Sequence, residues 1–151
     1  MIKSLHTLDI KFHNGIKIKI PTLYKVQVLN GDSGIGKSRL CYLVELGKSS
    51  PLTIESTSID TNDVLVWDTL SAINTSVTDK LIIIDRYTFL ASRDASIAPF
   101  IKQSKNKFIL ITHSDIRDID IPGTADLLLV YDAGKLLYYT KVVSWGISNG
   151  T

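Results

Sequence analysis

Three observations predict an α/β fold with a mostly parallel central sheet. The runs Leu81-Ile82-Ile83-Ile84 and Phe108-Ile109-Leu110-Ile111 are apolar at every position, as strands covered on both faces are. Segments of helical composition separate the strand-like runs, and that alternation implies parallel pairing with helices on both faces, a three-layer arrangement. Alternating apolar and polar runs joined by turn residues stand near both chain ends, and these predict antiparallel hairpins flanking the core.

The elements follow in order. Leu8–Phe12 and Ile16–Ile20 alternate in period two across His13-Asn14-Gly15, a strong hairpin signal. Lys11, Lys17 and Lys19 share its outer face, either as a strip for nucleic-acid phosphates or, preferably, as a solvated face protecting an edge strand. Val26–Leu29 is a short apolar strand, and residues 39–46 can run as a helix. After Gly47 and the Ser49-Ser50-Pro51 break, Leu52–Glu55 reads as a strand and 56–63 as a polar loop. Residues 63–74 are expected to be helical, capped from Asp60, Thr61 or Asn62, with Trp67 and Leu70 packed inward. Lys80–Asp85 and Phe108–Thr112 are buried strands, separated by a helix over 91–103 that Pro99 interrupts or delimits. Asp126–Tyr131 and Lys135–Tyr139 form the second hairpin.

The 151 residues are 44% hydrophobic, enough for one core, so a single domain over 1–151 is expected. The formal net charge of +2 gives only weak electrostatic support for nucleic acid or a membrane surface as partner. The single cysteine, Cys41, excludes an internal disulfide and a cysteine-based zinc cluster, and reads as a small core residue. No run approaches the roughly 20 apolar residues of a membrane-spanning helix, and no leader pattern follows Met1. A cytoplasmic setting is the expectation.

The motif richest in chemistry is Gly31-Asp32-Ser33-Gly34-Ile35-Gly36-Lys37-Ser38, which matches G-x-x-x-x-G-K-[ST] between a strand and a helix. Glycines allow a tight loop whose successive N–H groups converge on an anion, and the following helix adds partial positive charge at its start. Residues 31–39, Arg39 included, are therefore the expected nucleotide-binding segment. Lys37 would reach the β- and γ-phosphates, and the Ser38 hydroxyl would ligate Mg²⁺.

Asp85 ends a buried strand, where ligands bind in open α/β sheets, and is the expected second contributor to the metal site. Thr112 and His113 end the next buried strand and are placed to sense a γ-phosphate; the alternative is an ordinary strand-end loop. Hydrolysis needs a group that orients water. The residue after Asp85 is Arg86, which is not a base, and only two glutamates are present, Glu45 and Glu55. Glu55 is the candidate, against the plainer reading of a solvated loop carboxylate.

Together these segments resemble the P-loop NTPases over Val26 to about Tyr131. Glu55, Leu81–Asp85 and Ile109–His113 are similar to the catalytic glutamate, Walker B strand and sensor strand of RecA- and DnaB-type ATPases. Ile111–Asp115 and the hairpin Thr124–Lys135 resemble the switch histidine and following hairpin of ABC-type ATPases. Only 47 residues separate Lys37 from Asp85, too few for the ABC helical subdomain, and no LSGGQ-like signature occurs. Asp85-Arg86-Tyr87 resembles a motif of thymidylate kinases, but the lid arginines expected of such kinases are not evident.

The resemblance implies a Mg²⁺-ATP-binding protein with slow or partner-stimulated ATPase activity, with Lys37, Glu55 and His113 in catalytic roles and Ser38 and Asp85 at the metal. Its alternatives are a non-hydrolysing regulatory module and, third, a nucleotide kinase. ATP, a protein partner or self-assembly are the expected partners, with nucleic acid weakly supported and no membrane. Sheet order separates the branches. In RecA- and ABC-type proteins the sensor strand lies between the P-loop strand and the Walker B strand, whereas in kinases those two are neighbours. The inserted arrangement is expected.

Overall fold

The computed structural model describes residues 7–12, 17–21, 25–30, 41, 44, 54–57, 63–112, 119, 121, 124–132 and 135–141. Among the described residues nine strands form one sheet: β1 (Thr7–Phe12), β2 (Lys17–Pro21), β3 (Val26–Asn30), β4 (Ile54–Thr57), β5 (Val64–Trp67), β6 (Leu81–Ile84), β7 (Lys107–Thr112), β8 (Ala125–Asp132) and β9 (Lys135–Lys141). Their spatial order is β4-β1-β2-β9-β8-β3-β7-β6-β5. The five strands β8, β3, β7, β6 and β5 are mutually parallel. The fold is thus α/β, and β7 lies between β3 and β6, the expected inserted order.

Both hairpins are present. β1 pairs antiparallel with β2, Lys11 opposite Lys17 and Asp9 opposite Lys19. β8 pairs antiparallel with β9. Unexpectedly, β2 also pairs with β9 in parallel, Ile18 beside Leu136, which joins the two hairpins into a single sheet.

Period two explains the core. Val26, Val28, Ile82, Ile84, Phe108 and Leu110 form one buried face. Against it pack Tyr87 and Leu90 of α1 (Tyr87–Arg93) and Ile97 and Ile101 of α2 (Ile97–Gln103). The alternate residues Leu29, Leu81, Ile83, Ile109 and Ile111 are buried too, so these strands are covered on both faces. Cys41 and Val44 are helical and buried, as a small core cysteine and its helix neighbour should be. Phe100 bridges layers, stacking on Trp67 at 5.8 Å and meeting Phe108 edge-on at 5.8 Å.

Three local expectations are corrected. Residues 63–74 are not a helix: Val64-Leu65-Val66-Trp67 is the strand β5, parallel to β6, followed by a 3₁₀ turn over Leu70–Ala72. The β-branched and aromatic composition of that run wins over the helical reading. Trp67 is buried as expected, but Leu70 is 46% exposed. The helix expected over 91–103 is two, and the break falls at residues 94–96. Asp94 accepts hydrogen bonds from the Ser96 backbone N–H and hydroxyl there. Pro99 sits in the first turn of α2, where a missing N–H costs nothing. Finally, the strand expected at 52–55 is β4, Ile54–Thr57, which pairs antiparallel with β1 at the sheet's outer edge and not with the parallel core.

Candidate functional site

The parallel strands bring their C-terminal ends to one rim. Asn30, the last residue of β3, is in register with Thr112, the last of β7. Ile84 of β6 is in register with Leu110 on one side and Trp67 on the other. The next residues, Asp85 and Asp68, therefore leave adjacent strands side by side, and Thr112 stands between them and Asn30. Strand spacing of about 4.8 Å makes β3 and β6 roughly 10 Å apart at this rim.

The chain enters the glycine-rich segment directly from Asn30. Gly31, Asp32, Ser33, Gly34, Ile35, Gly36, Lys37, Ser38, Arg39 and His113 lie outside the described residues. What the structure describes of the expected site is Asp85, Thr112 and the backbone of Glu55.

Asp85 is held from both sides of its own chain. Its N–H donates to the Trp67 carbonyl at 3.0 Å, extending the β5–β6 ladder by one bond. Its Oδ1 accepts the Arg86 N–H at 2.9 Å. That contact goes with Arg86 standing at φ 51°, in the left-handed region, which costs a non-glycine residue roughly 1–2 kcal/mol. The reward is local order: Arg86 Nη2 donates to the Asp68 carbonyl at 2.6 Å, clasping the ends of β5 and β6. Asp85 itself is half-buried and meets no cation among the described residues, so its carboxylate retains lone pairs for a hard cation. Among the described residues no group of three or more His, Cys, Asp or Glu side chains converges.

Thr112 is buried, 3% exposed. Its hydroxyl lies 2.7 Å from that of Thr88 in the first turn of α1, which ties the end of β7 to the helix that follows Asp85.

Glu55 sits elsewhere. β4 is separated from β3 by β1, β2, β9 and β8. The place beside β6 in the parallel core is taken by β5, and β4 lies at the other edge of the sheet. The carboxylate that follows β5 is Asp68, which a helical reading of 63–74 does not single out and the strand-like run Val64–Trp67 does.

No family model matches the chain, and no curated protein matches its sequence. A solved structure described as that of a bacterial Atm1-family ABC exporter with ATP bound is similar at a TM-score of 0.42 and 12% identity. The alignment takes in 86% of this chain and 38% of that one, so this chain spans less than half of the exporter's length. Among the described residues no helix is long and apolar enough to cross a membrane.

Proposed function

We propose that this chain is a P-loop protein that binds Mg²⁺-ATP at the rim where β3, β7 and β6 end. The observation that carries the reading is the sheet order β3-β7-β6. It leaves the segment 31–38 at the end of β3 and the Asp85 carboxylate one strand removed, with Thr112 between. Lys37 and the loop's N–H groups would hold the phosphates, and Ser38 and Asp85 the cation. When bound, the cation would supply positive charge that offsets the negative charge of the phosphates. Thr112 and His113 would contact the terminal phosphate.

The same order disfavours the kinase alternative, in which the strands corresponding to β3 and β6 would pair directly. The absence of a carboxylate directly after Asp85, where Arg86 stands, favours slow turnover or none. A regulatory module that reads nucleotide state without rapid hydrolysis is therefore the second reading.

The test is a calorimetric titration of Mg²⁺-ATP into the purified chain. Lys37→Ala is expected to weaken binding by at least tenfold, and Asp85→Asn to remove the dependence on Mg²⁺ while preserving metal-free binding. Unchanged affinity in Lys37→Ala would refute the proposal.

A further inference from the structure

Phe89 and Arg93 lie four residues apart on α1, and Arg86 is the residue that caps the helix start. The Arg86 guanidinium carbon lies 5.3 Å from the centroid of the Phe89 ring, and that of Arg93 lies 5.1 Å away. Phe89 nonetheless remains 45% exposed. Leu70, the other exposed large hydrophobic among the described residues, is two positions from Asp68, whose carbonyl accepts the Arg86 guanidinium. Neither arginine meets a carboxylate among the described residues, where the ion pair is Lys80–Asp63. Two like charges thus share one partly exposed aromatic ring, with no carboxylate partner among the described residues.

We propose that this Arg86–Phe89–Arg93 face docks an acidic peptide segment of a partner protein. The two guanidiniums take its carboxylates, and an apolar side chain of the segment lies along the exposed edge of Phe89 towards Leu70. A guanidinium is a planar fork matched to a carboxylate, and stacking on an aromatic ring pre-orders it for that contact. The charge pattern decides against a nucleic-acid strand. Asp85 and Asp94 adjoin the two arginines in the chain, and the Asp68 carbonyl accepts from Arg86, so a continuous line of phosphates would meet repulsion that a short segment with discrete carboxylates avoids. The guanidiniums also occupy ring face on which a base would stack. This inference is independent of nucleotide binding.

The test selects displayed random peptides on the full chain and measures the affinity of the synthetic winners by fluorescence polarisation, with an oligothymidylate strand as the polyanion probe. Enrichment of Asp or Glu next to Leu, Phe or Trp is expected. Arg93→Glu and Phe89→Ser should each weaken the selected peptide by about tenfold or more, the scale of a lost charge-assisted hydrogen bond. Arg93→Lys should retain part of the affinity. The exposed positions should leave the melting temperature unchanged; where a variant melts early, Arg93→Gln replaces it. A selection without acidic enrichment, or peptides indifferent to both substitutions, overturns the proposal. Oligothymidylate binding that exceeds peptide binding and is lost in Arg93→Glu also overturns it, in favour of a nucleic-acid surface.

Discussion

The side-chain hydroxyls of Thr88 and Thr112 stand 2.7 Å apart, one in the first turn of α1 and the other at the end of β7. The bond links the strand end expected to sense a terminal phosphate with the helix that carries Phe89 and Arg93 and is capped by Arg86. A double-mutant cycle with Thr88→Val and Thr112→Val, read by urea denaturation, should return a coupling of about 0.5–1.5 kcal/mol, the net worth of one such bond. If Thr112 senses the terminal phosphate, Thr112→Val should also narrow the preference for ATP over ADP while leaving ADP affinity in place. Equal loss for both nucleotides would remove Thr112 from that role.

Turnover provides a second test, because two carboxylates now compete for the water-orienting role. The sheet order favours Asp68, next to Asp85 in register, over Glu55 on the outer edge strand. In single-turnover phosphate release, Asp68→Asn should lower the rate towards the roughly 10²–10⁴-fold contribution of a general base. Glu55→Gln should leave it nearly unchanged. The reverse result would restore Glu55 and show that β4 approaches the rim in the working state.

At the opposite end of the strands, Asn106 is buried and holds two connections together. Its Oδ1 accepts the Lys80 N–H at 2.8 Å, and its Nδ2 donates to the Val77 carbonyl at 3.0 Å. Asn106→Ala removes both partners at once from groups near the start of β6. A loss of about 1–3 kcal/mol in unfolding free energy is expected, the cost of an unsatisfied buried polar group. Nucleotide affinity, governed by the far rim, should not change.

Acid should weaken one further contact. Lys80 Nζ donates to Asp63 Oδ1 at 2.8 Å, and chiefly this hydrogen bond holds the Asp63 carboxyl below its ordinary value of 3.8. A carboxyl with a lower pKa in the folded chain stabilises the fold above its unfolded value. That contribution fades as pH falls through 3.8 towards the lowered folded value. The melting-temperature gap between the native chain and Asp63→Asn should therefore be present at neutral pH and close below pH 3.8. The gap should be small throughout, since the pair is partly exposed.

β6 and the Phe108–Ile111 run of β7 were legible because each is apolar at every position, a pattern that double-sided burial explains. Both hairpins were legible from period-two alternation and their turn residues. The reading failed where local composition was ambiguous. Val64–Trp67 is too short for periodicity to separate strand from helix, and pairing with β6 decides it. The partner of β4 was invisible for a different reason: nothing in Ile54–Thr57 says whether it joins the parallel core or the edge of β1. A core position for β4 makes Glu55 the candidate base, whereas β5 in that position makes Asp68 a second candidate. Asp85 and Thr112 stand out in the sequence because one follows and the other ends the two least ambiguous strands in the chain.

The parallel pairing of β2 with β9 brings together segments from opposite ends of the chain, and this sets an order on folding. β3, in the middle of the sheet, has β8 as its neighbour on one side, and β8 is made more than ninety residues after β3. Until the last hairpin emerges from the ribosome, β3 presents an open edge of unpaired backbone, a template for pairing with other chains. Chains truncated before Ala125 should accordingly aggregate during synthesis, and a chaperone that shields bare strands would act on β3 first.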